Sequence, residues 1–380
     1  MSSMDGKRKI IPLIACFMSF MTAIACAFVF WGHRSGPSKS AAREGRQGVE
    51  SSKSTTSGAS RSKSASAATM SSPTTLVATR PNEKKGGAMA NSSPDLPKPL
   101  RGITLDSIEN LNQSLNLIKS SSQKLTVRVV MDSDESLDNY GKAVEALHPH
   151  AYVMVQVVDS QEMAQKSVAD VRSRAAQAMA KFGDKVDLWE VGNELNGDWA
   201  GSSPGEINAK AQAAYDAISS KGGRTAITLN YWSGSDCYQN SWEATLPYAQ
   251  AMPAKLKNVD YLFLSVYETA CDPHQRPSSS DLSQTLGKLG EIFPKAQLGI
   301  GEVGAQDTSD GLSDTPNKSE KERIANYYYG MHSDLAQKVG GRYTGGYFWW
   351  YFHRDAVQPL QGSGGDSIWP TLQRLLTSGL

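Results

Sequence analysis

Two short stretches, far apart in the chain, carry the residues with the clearest chemical potential. The first, residues 186–194, reads Val-Asp-Leu-Trp-Glu-Val-Gly-Asn-Glu, an apolar run that ends in an amide, Asn193, and a carboxylate, Glu194. The second, residues 297–304, reads Gln-Leu-Gly-Ile-Gly-Glu-Val-Gly and carries Glu302 near its end. Both are too brief for helices and are bounded by glycine or charge. Each therefore reads as a short strand with its glutamate where strand gives way to loop. In a parallel barrel such strand ends share one face, and that face is where barrels of this kind keep their chemistry. Two carboxyls meeting there can cleave a glycosidic bond, one as acid/base and the other as nucleophile. The chemistry needs unequal carboxyls. One must hold a proton near neutrality, through burial or a like charge nearby, while the other stays ionised.

The rest of the chain supplies the scaffold that such a pair requires. From residue 102 onward, short β-type runs fall at 102–105, 125–131, 152–158, 186–191, 225–230, 261–267, 298–302 and 345–351. Most intervals between them carry helical text. One opens with Ser203, Pro204, Gly205 and Glu206, a capping box with proline at the first helical position, and closes at Gly222 and Gly223. Strands alternating with helices imply parallel strands whose crossovers bury both faces. Eight such units predict a closed (β/α)8 TIM barrel over 102–380, with Glu194 ending the fourth strand and Glu302 the seventh. No Gly-x-Gly-x-x-Gly follows the first run, which argues against a dinucleotide-binding sheet.

An Asn-Glu pair closing strand four, with a second glutamate closing strand seven, resembles the clan A glycoside hydrolases, the 4/7 superfamily of retaining enzymes. The likeness covers 102–380 as architecture, but only a few short motifs as sequence. It implies that Glu194 is the acid/base, Glu302 the nucleophile, and Asn193 the contact to the sugar 2-hydroxyl. It further implies substrate-binding roles for Arg128 inside strand two, Tyr267 at the end of strand six, and Trp349 or Trp350 on strand eight. Many members carry proline after Asn-Glu, where Leu195 stands here, and this departure leaves the sugar open. Arg128 also has a structural reading, an ion pair inside the barrel. Its simplest partner is Glu190, which shares a face with Glu194 by the two-residue period of a strand.

Around this pair the aromatic residues are placed suggestively. Residues 347–352 form the densest aromatic run; alternation sends some of these side chains inward and the others against the outer helices. Trp199, Tyr231, Trp232 and Trp242 follow strands four and five, on the side where a polysaccharide groove would run. Aromatic faces there suit the apolar faces of pyranose rings, and Trp232 is a further substrate-binding candidate. Cys237 and Cys271 follow strands five and six. Neighbouring loops can meet the Cα separation of a disulfide, and a bridge would imply an oxidising compartment; free thiols are the alternative. The six His and four Cys show no metal spacing, and no Gly-x-Ser-x-Gly or phosphate loop occurs, so neither metal nor cofactor is expected.

Charge separates the chain into parts. Lys7, Arg8 and Lys9 precede 22 uncharged residues, 10–31. As a helix that run would span roughly 33 Å, enough for a bilayer core, so residues 1–32 read as a membrane anchor, with a cleaved signal segment as the alternative. Residues 33–101 contain no Phe, Trp or Tyr and hold 12 Lys and Arg against 4 Asp and Glu, a net of +8. Such a segment cannot bury enough apolar area to offset chain entropy and reads as a disordered linker. Residues 102–380 hold 24 basic and 33 acidic residues, a net of −9, which argues against a nucleic-acid partner. The expected protein is a monomeric, retaining, endo-acting glycosidase for an extracellular or cell-envelope polysaccharide, membrane-anchored with its catalytic domain outside, or secreted. Its rivals are a noncatalytic glycan-binding barrel and a transglycosylase.

Overall fold

The computed structural model describes residues 96–271, 273–305, 316–362 and 365–380. The expected anchor, 1–32, and nearly all of the expected linker, 33–101, lie outside them. Among the described residues no helix is long and apolar enough to cross a membrane.

Eight parallel strands pair in chain order and close into a barrel. They are β1 (Leu100–Leu105), β2 (Thr126–Val130), β3 (Tyr152–Gln156), β4 (Leu188–Gly192), β5 (Thr225–Asn230), β6 (Tyr261–Val266), β7 (Gln297–Val303) and β8 (Tyr343–Trp349). Their connections carry the helices α1 (Leu111–Ser120), α2 (Leu137–Leu147), α3 (Val168–Phe182), α4 (Pro204–Ser219), α5 (Thr245–Ala251), α6 (Ser279–Ile292), α7 (Lys318–Tyr329) and α8 (His332–Val339). Helix α4 starts where its sequence says it should: Ser203 caps it by accepting from the Glu206 N–H, with Pro204 in the first turn.

The strands are buried on both faces, which is why they read as continuous apolar runs and not as alternating ones. Outward residues such as Val127, Val129, Trp189, Ile227 and Leu264 join the layer beneath the helices. Leu100, Met154, Leu188, Tyr261, Phe263 and Phe348 form a separate apolar plug inside the barrel. Phe263 meets Phe348 edge to face, with ring centroids 5.9 Å apart. Leu96 belongs to this plug too, so the packed domain reaches back beyond residue 102, the start expected from sequence.

Toward the C-terminal ends the interior turns polar, and two irregularities decide what points there. In β7 the partners of Leu264 and Ser265 are Ile300 and Glu302, so Gly301 is an extra residue, a bulge. Leu298, Ile300 and Val303 all pack into the outer layer. Plain alternation from Leu298 and Ile300 would carry residue 302 outward; the bulge turns Glu302 inward. Only glycine fits at the bulge, because a Cβ on Gly301 would lie 2.5 Å from Phe263 Cβ. In β4, Glu190 pairs with Ala226 and Gly192 with Ile227, a second register shift just before the Asn193–Glu194 pair.

Candidate active site

Strand β4 ends at Gly192, so Glu194 lies beyond it, in a turn. Its φ is +49°, in the left-handed region that few non-glycine residues occupy. Glu194 therefore faces the barrel mouth because of this turn, and not through the two-residue period that seemed to link it to Glu190. The turn is closed by the Gly197 N–H on Glu194 O at 2.9 Å and by the Leu195 N–H on Thr228 O at 3.3 Å. Proline has no N–H, so the second bond accounts locally for leucine at 195. The Leu195 side chain is fully buried under Gly192, where an added Cβ would come within 2.6 Å of it.

Ser265 connects the two glutamates. On β6 its Cα is the ladder partner of Glu302, and its Oγ donates to Glu194 Oε1 at 2.6 Å. Both carboxyls are thus brought to one face of the barrel, at its C-terminal mouth. Their surroundings differ. Burial, and then the charge of Glu302, raises the Glu194 carboxyl well above the usual glutamate range, against the opposing pull of Ser265 and Arg128. Glu302 has a donor on each oxygen: Tyr267 OH to Oε1 at 2.7 Å and Arg128 Nη1 to Oε2 at 2.7 Å. Both oxygens act as acceptors, as those of an ionised carboxylate do. Burial and the charge of Glu302 raise the Tyr267 phenol well above its ordinary value, so it stays a neutral donor.

Arg128 makes the ion pair with Glu190 that its structural reading expected, and it also reaches Glu302. It is fully buried, with Nε 2.8 Å from Glu190 Oε2 and Nη1 on Glu302. Its Nη2 donates to Gln156 Oε1 at 2.8 Å, and its guanidinium lies over the Trp350 ring at 5.1 Å. Burial alone would lower the guanidinium pKa, but Glu190 and Glu302 outweigh it and the net shift is upward. Burial pushes Glu190 up, to about 7, against Arg128 and a hydrogen bond from the Thr228 hydroxyl.

The other candidates divide. Trp350 stands beside Arg128, and Gly304 lies close to Tyr267, Trp350 and Tyr351. Trp349 instead packs in the outer layer, with its indole N–H on Asp355 Oδ2 at 3.0 Å. Asn193 is buried beside Glu194, and its Oδ1 has no hydrogen-bond partner in the protein. Trp232 is half-buried and meets Trp199 edge to face at 6.4 Å. Cys237 and Cys271 are joined by a disulfide that ties the loops after β5 and β6. Among the described residues no group of three or more His, Cys, Asp or Glu is arranged to hold a metal.

Several residues at the site were not singled out from sequence. Ser265 and Gln156 each sit in a buried apolar strand, and a lone polar side chain in such a run is the signal that could have found them. Asp106, Asp132 and Asp159 follow β1, β2 and β3, on the same side of the barrel as the glutamates. Burial, aided by nearby carboxylates such as Asp355 for Asp106, Asp159 for Asp132 and Glu302 for Asp159, pushes them up to about 6, 7 and 6 respectively.

No protein-family model matches this chain, and no curated protein does. Solved structures similar to it include a GH5-4 broad-specificity endoglucanase from an uncultured bacterium, at 12% identity and a TM-score of 0.48, covering 73% of this chain and 93% of that one. The virulence factor SghA from Agrobacterium tumefaciens is similar at 14% identity and a TM-score of 0.46, covering 72% and 87%. A family 1 β-glucosidase from Thermotoga maritima is similar at 12% identity and a TM-score of 0.44, covering 64% and 78%. The barrel itself rests on its own closed ladder, independent of these likenesses.

Proposed function

We propose that this protein is a retaining glycoside hydrolase with Glu302 as nucleophile and Glu194 as acid/base. The observation that carries the reading is the asymmetry of the pair. A buried carboxyl whose pKa is raised by burial and by the Glu302 charge faces the same mouth as a carboxyl whose oxygens both accept hydrogen bonds, with Ser265 between them.

In the first step a Glu302 oxygen attacks the anomeric carbon. The bond to the leaving sugar breaks, and the Glu194 proton passes to the leaving oxygen. Arg128 and Tyr267 hold the attacking carboxylate in place and keep its other oxygen occupied. Esterification then removes the Glu302 charge. That charge is one of the causes raising the Glu194 pKa, so Glu194 becomes a better base once the intermediate forms. It takes a proton from water, the water oxygen attacks the anomeric carbon, and the ester bond to Glu302 breaks. The free acceptor atom of Asn193 suits a sugar hydroxyl, and Trp350 and Trp232 offer aromatic faces. Groups of this kind after several strands suit an endo-acting enzyme on a polysaccharide.

The apolar run at residues 10–31 supports a membrane anchor, or a cleaved signal segment of a secreted protein, and the Cys237–Cys271 bond, which fits an oxidising compartment, favours a barrel outside the membrane. The deciding experiment compares Glu302→Ala with Glu194→Ala. Glu302→Ala should abolish turnover, with azide restoring it and giving inverted product. Glu194→Ala should keep its first step on activated aryl glycosides, accumulate the intermediate, and be rescued by azide with retained configuration. Wild-type activity in both variants would leave a noncatalytic glycan-binding barrel. Transfer to a second sugar in place of water would identify a transglycosylase.

A further inference from the structure

The left-handed backbone at Glu194 is a strained conformation that persists only where its surroundings hold it. The two backbone bonds of the turn do not reach the loops around it. The side chain two residues on does. Asn196 is fully buried, and its carboxamide is bonded on both ends. Oδ1 accepts from the Asn230 N–H at 2.7 Å, while Nδ2 donates to Asn230 O at 3.2 Å and to Glu243 O at 2.8 Å. The amide therefore takes the place of a neighbouring strand. It satisfies both main-chain groups of Asn230 beyond the last β4–β5 pair, Gly192 with Ile227. Asn230 O also accepts from Thr245 Oγ1 at 2.7 Å, so the turn, the end of β5 and the loop before α5 meet at this one side chain.

We propose that Asn196 is a positioning residue for proton transfer: it locks the 193–197 turn so that the Glu194 carboxyl stays buried at the mouth, within reach of Ser265 and beside Glu302. The inference rests on the hydrolase reading and adds to it the residue on which the acid/base depends. Without the amide, the strained residue can relax toward ordinary backbone angles, and its carboxyl moves away from the leaving oxygen. A displacement of about 1 Å costs on the order of 10²-fold in rate.

The test is the leaving-group dependence of Asn196→Ala on a graded series of aryl glycosides, with a pH profile for each substrate. The variant should lose about 10²-fold in kcat/KM on poor leaving groups, which need the Glu194 proton, and only a few-fold on dinitrophenyl glycosides, which do not. Its basic limb should move to lower pH, because a less buried carboxyl gives up its proton more easily. Should Asn196→Ala fail to fold, the isosteric Asn196→Asp keeps the acceptor, loses both donors, and should show the same unequal loss. An equal loss on all substrates with an unmoved basic limb would mean that Asn196 is structural only. A wild-type protein inactive on every glycoside would overturn the hydrolase reading itself, and this inference with it.

Discussion

Ser265 Oγ donates to Glu194 Oε1 at 2.6 Å, from a residue whose Cα is the ladder partner of Glu302. One hydroxyl thus touches one member of the carboxyl pair while its backbone neighbours the other. A hydrogen bond donated to a carboxylate favours the charged form, and here it opposes burial and the Glu302 charge, which both favour the neutral one. The carboxyl proton is thus set by opposing influences, with the net shift upward.

Ser265→Ala should therefore move the basic limb of the kcat/KM profile to higher pH, since the limb reports the proton on Glu194 in the free enzyme. Turnover should fall most where the second step limits, because that step needs Glu194 as a base. A limb that moved to lower pH would show that the serine is not acting as a donor to this carboxyl.

Arg128 joins two buried carboxylates, a glutamine and an aromatic face, so its two readings are separable by substitution. Arg128→Met leaves Glu190 and Glu302 without their shared cation and should cost about 3–5 kcal/mol, read from the urea midpoint. Arg128→Lys keeps a charge but cannot make the forked contacts. It should recover part of that stability while kcat/KM stays about 10²-fold or more below wild type. Full recovery of activity in the lysine variant would reduce Arg128 to a structural ion pair.

The barrel was legible in the sequence because strands buried on both faces leave continuous apolar runs, and eight of these alternate with helical text. The strands that lead to Glu194 and carry Glu302 were legible for the same reason. What aims the side chains was not. The bulge at Gly301 and the left-handed turn at Glu194 are departures from period two, and periodicity is blind to them. The anchoring amide of Asn196 was hidden because an asparagine following a strand is unremarkable until its partners on β5 are known. Trp349 and Trp350 were not distinguishable as neighbours; the register of β8 sends the first into the outer layer and leaves the second near Arg128.

The disulfide closes a loop of 34 residues in sequence separation. Chain-entropy reasoning gives such a link up to about 4 kcal/mol. Replacing both Cys237 and Cys271 with serine should lower the melting temperature, and non-reducing peptide mapping of the wild type should recover the two cysteines joined. Free reaction of both with a thiol reagent before reduction would remove the case for an oxidising compartment.

Stability should fall as pH rises from about 4.5 to 7, the reverse of ordinary acid denaturation, and the acidic residues after β1 to β3 give the reason. In the folded protein burial holds Asp106, Asp132 and Asp159 at about 6, 7 and 6, above the value of about 3.9 for an aspartate in an unfolded chain. Between those values the folded state binds more protons than the unfolded one, so stability declines with pH. The contribution is fully present below the unfolded value and is lost as pH passes through the folded one. Glu190 and Glu194, also raised, act in the same direction. His332 and His353, lowered by burial, act against it, but six carboxyls, with Glu243 also raised by burial, stand against these two imidazoles. Carboxylates with lowered values, such as Glu206, add an opposing slope at the acid end of the window, which fades as pH rises past the unfolded glutamate value of about 4.3. Melting temperatures measured from pH 4.5 to 7.5 should show the decline, and Asp132→Asn should flatten it by removing one titrating group. An Asp132→Asn curve parallel to wild type across that window would mean that Asp132 titrates alike in the folded and unfolded chain.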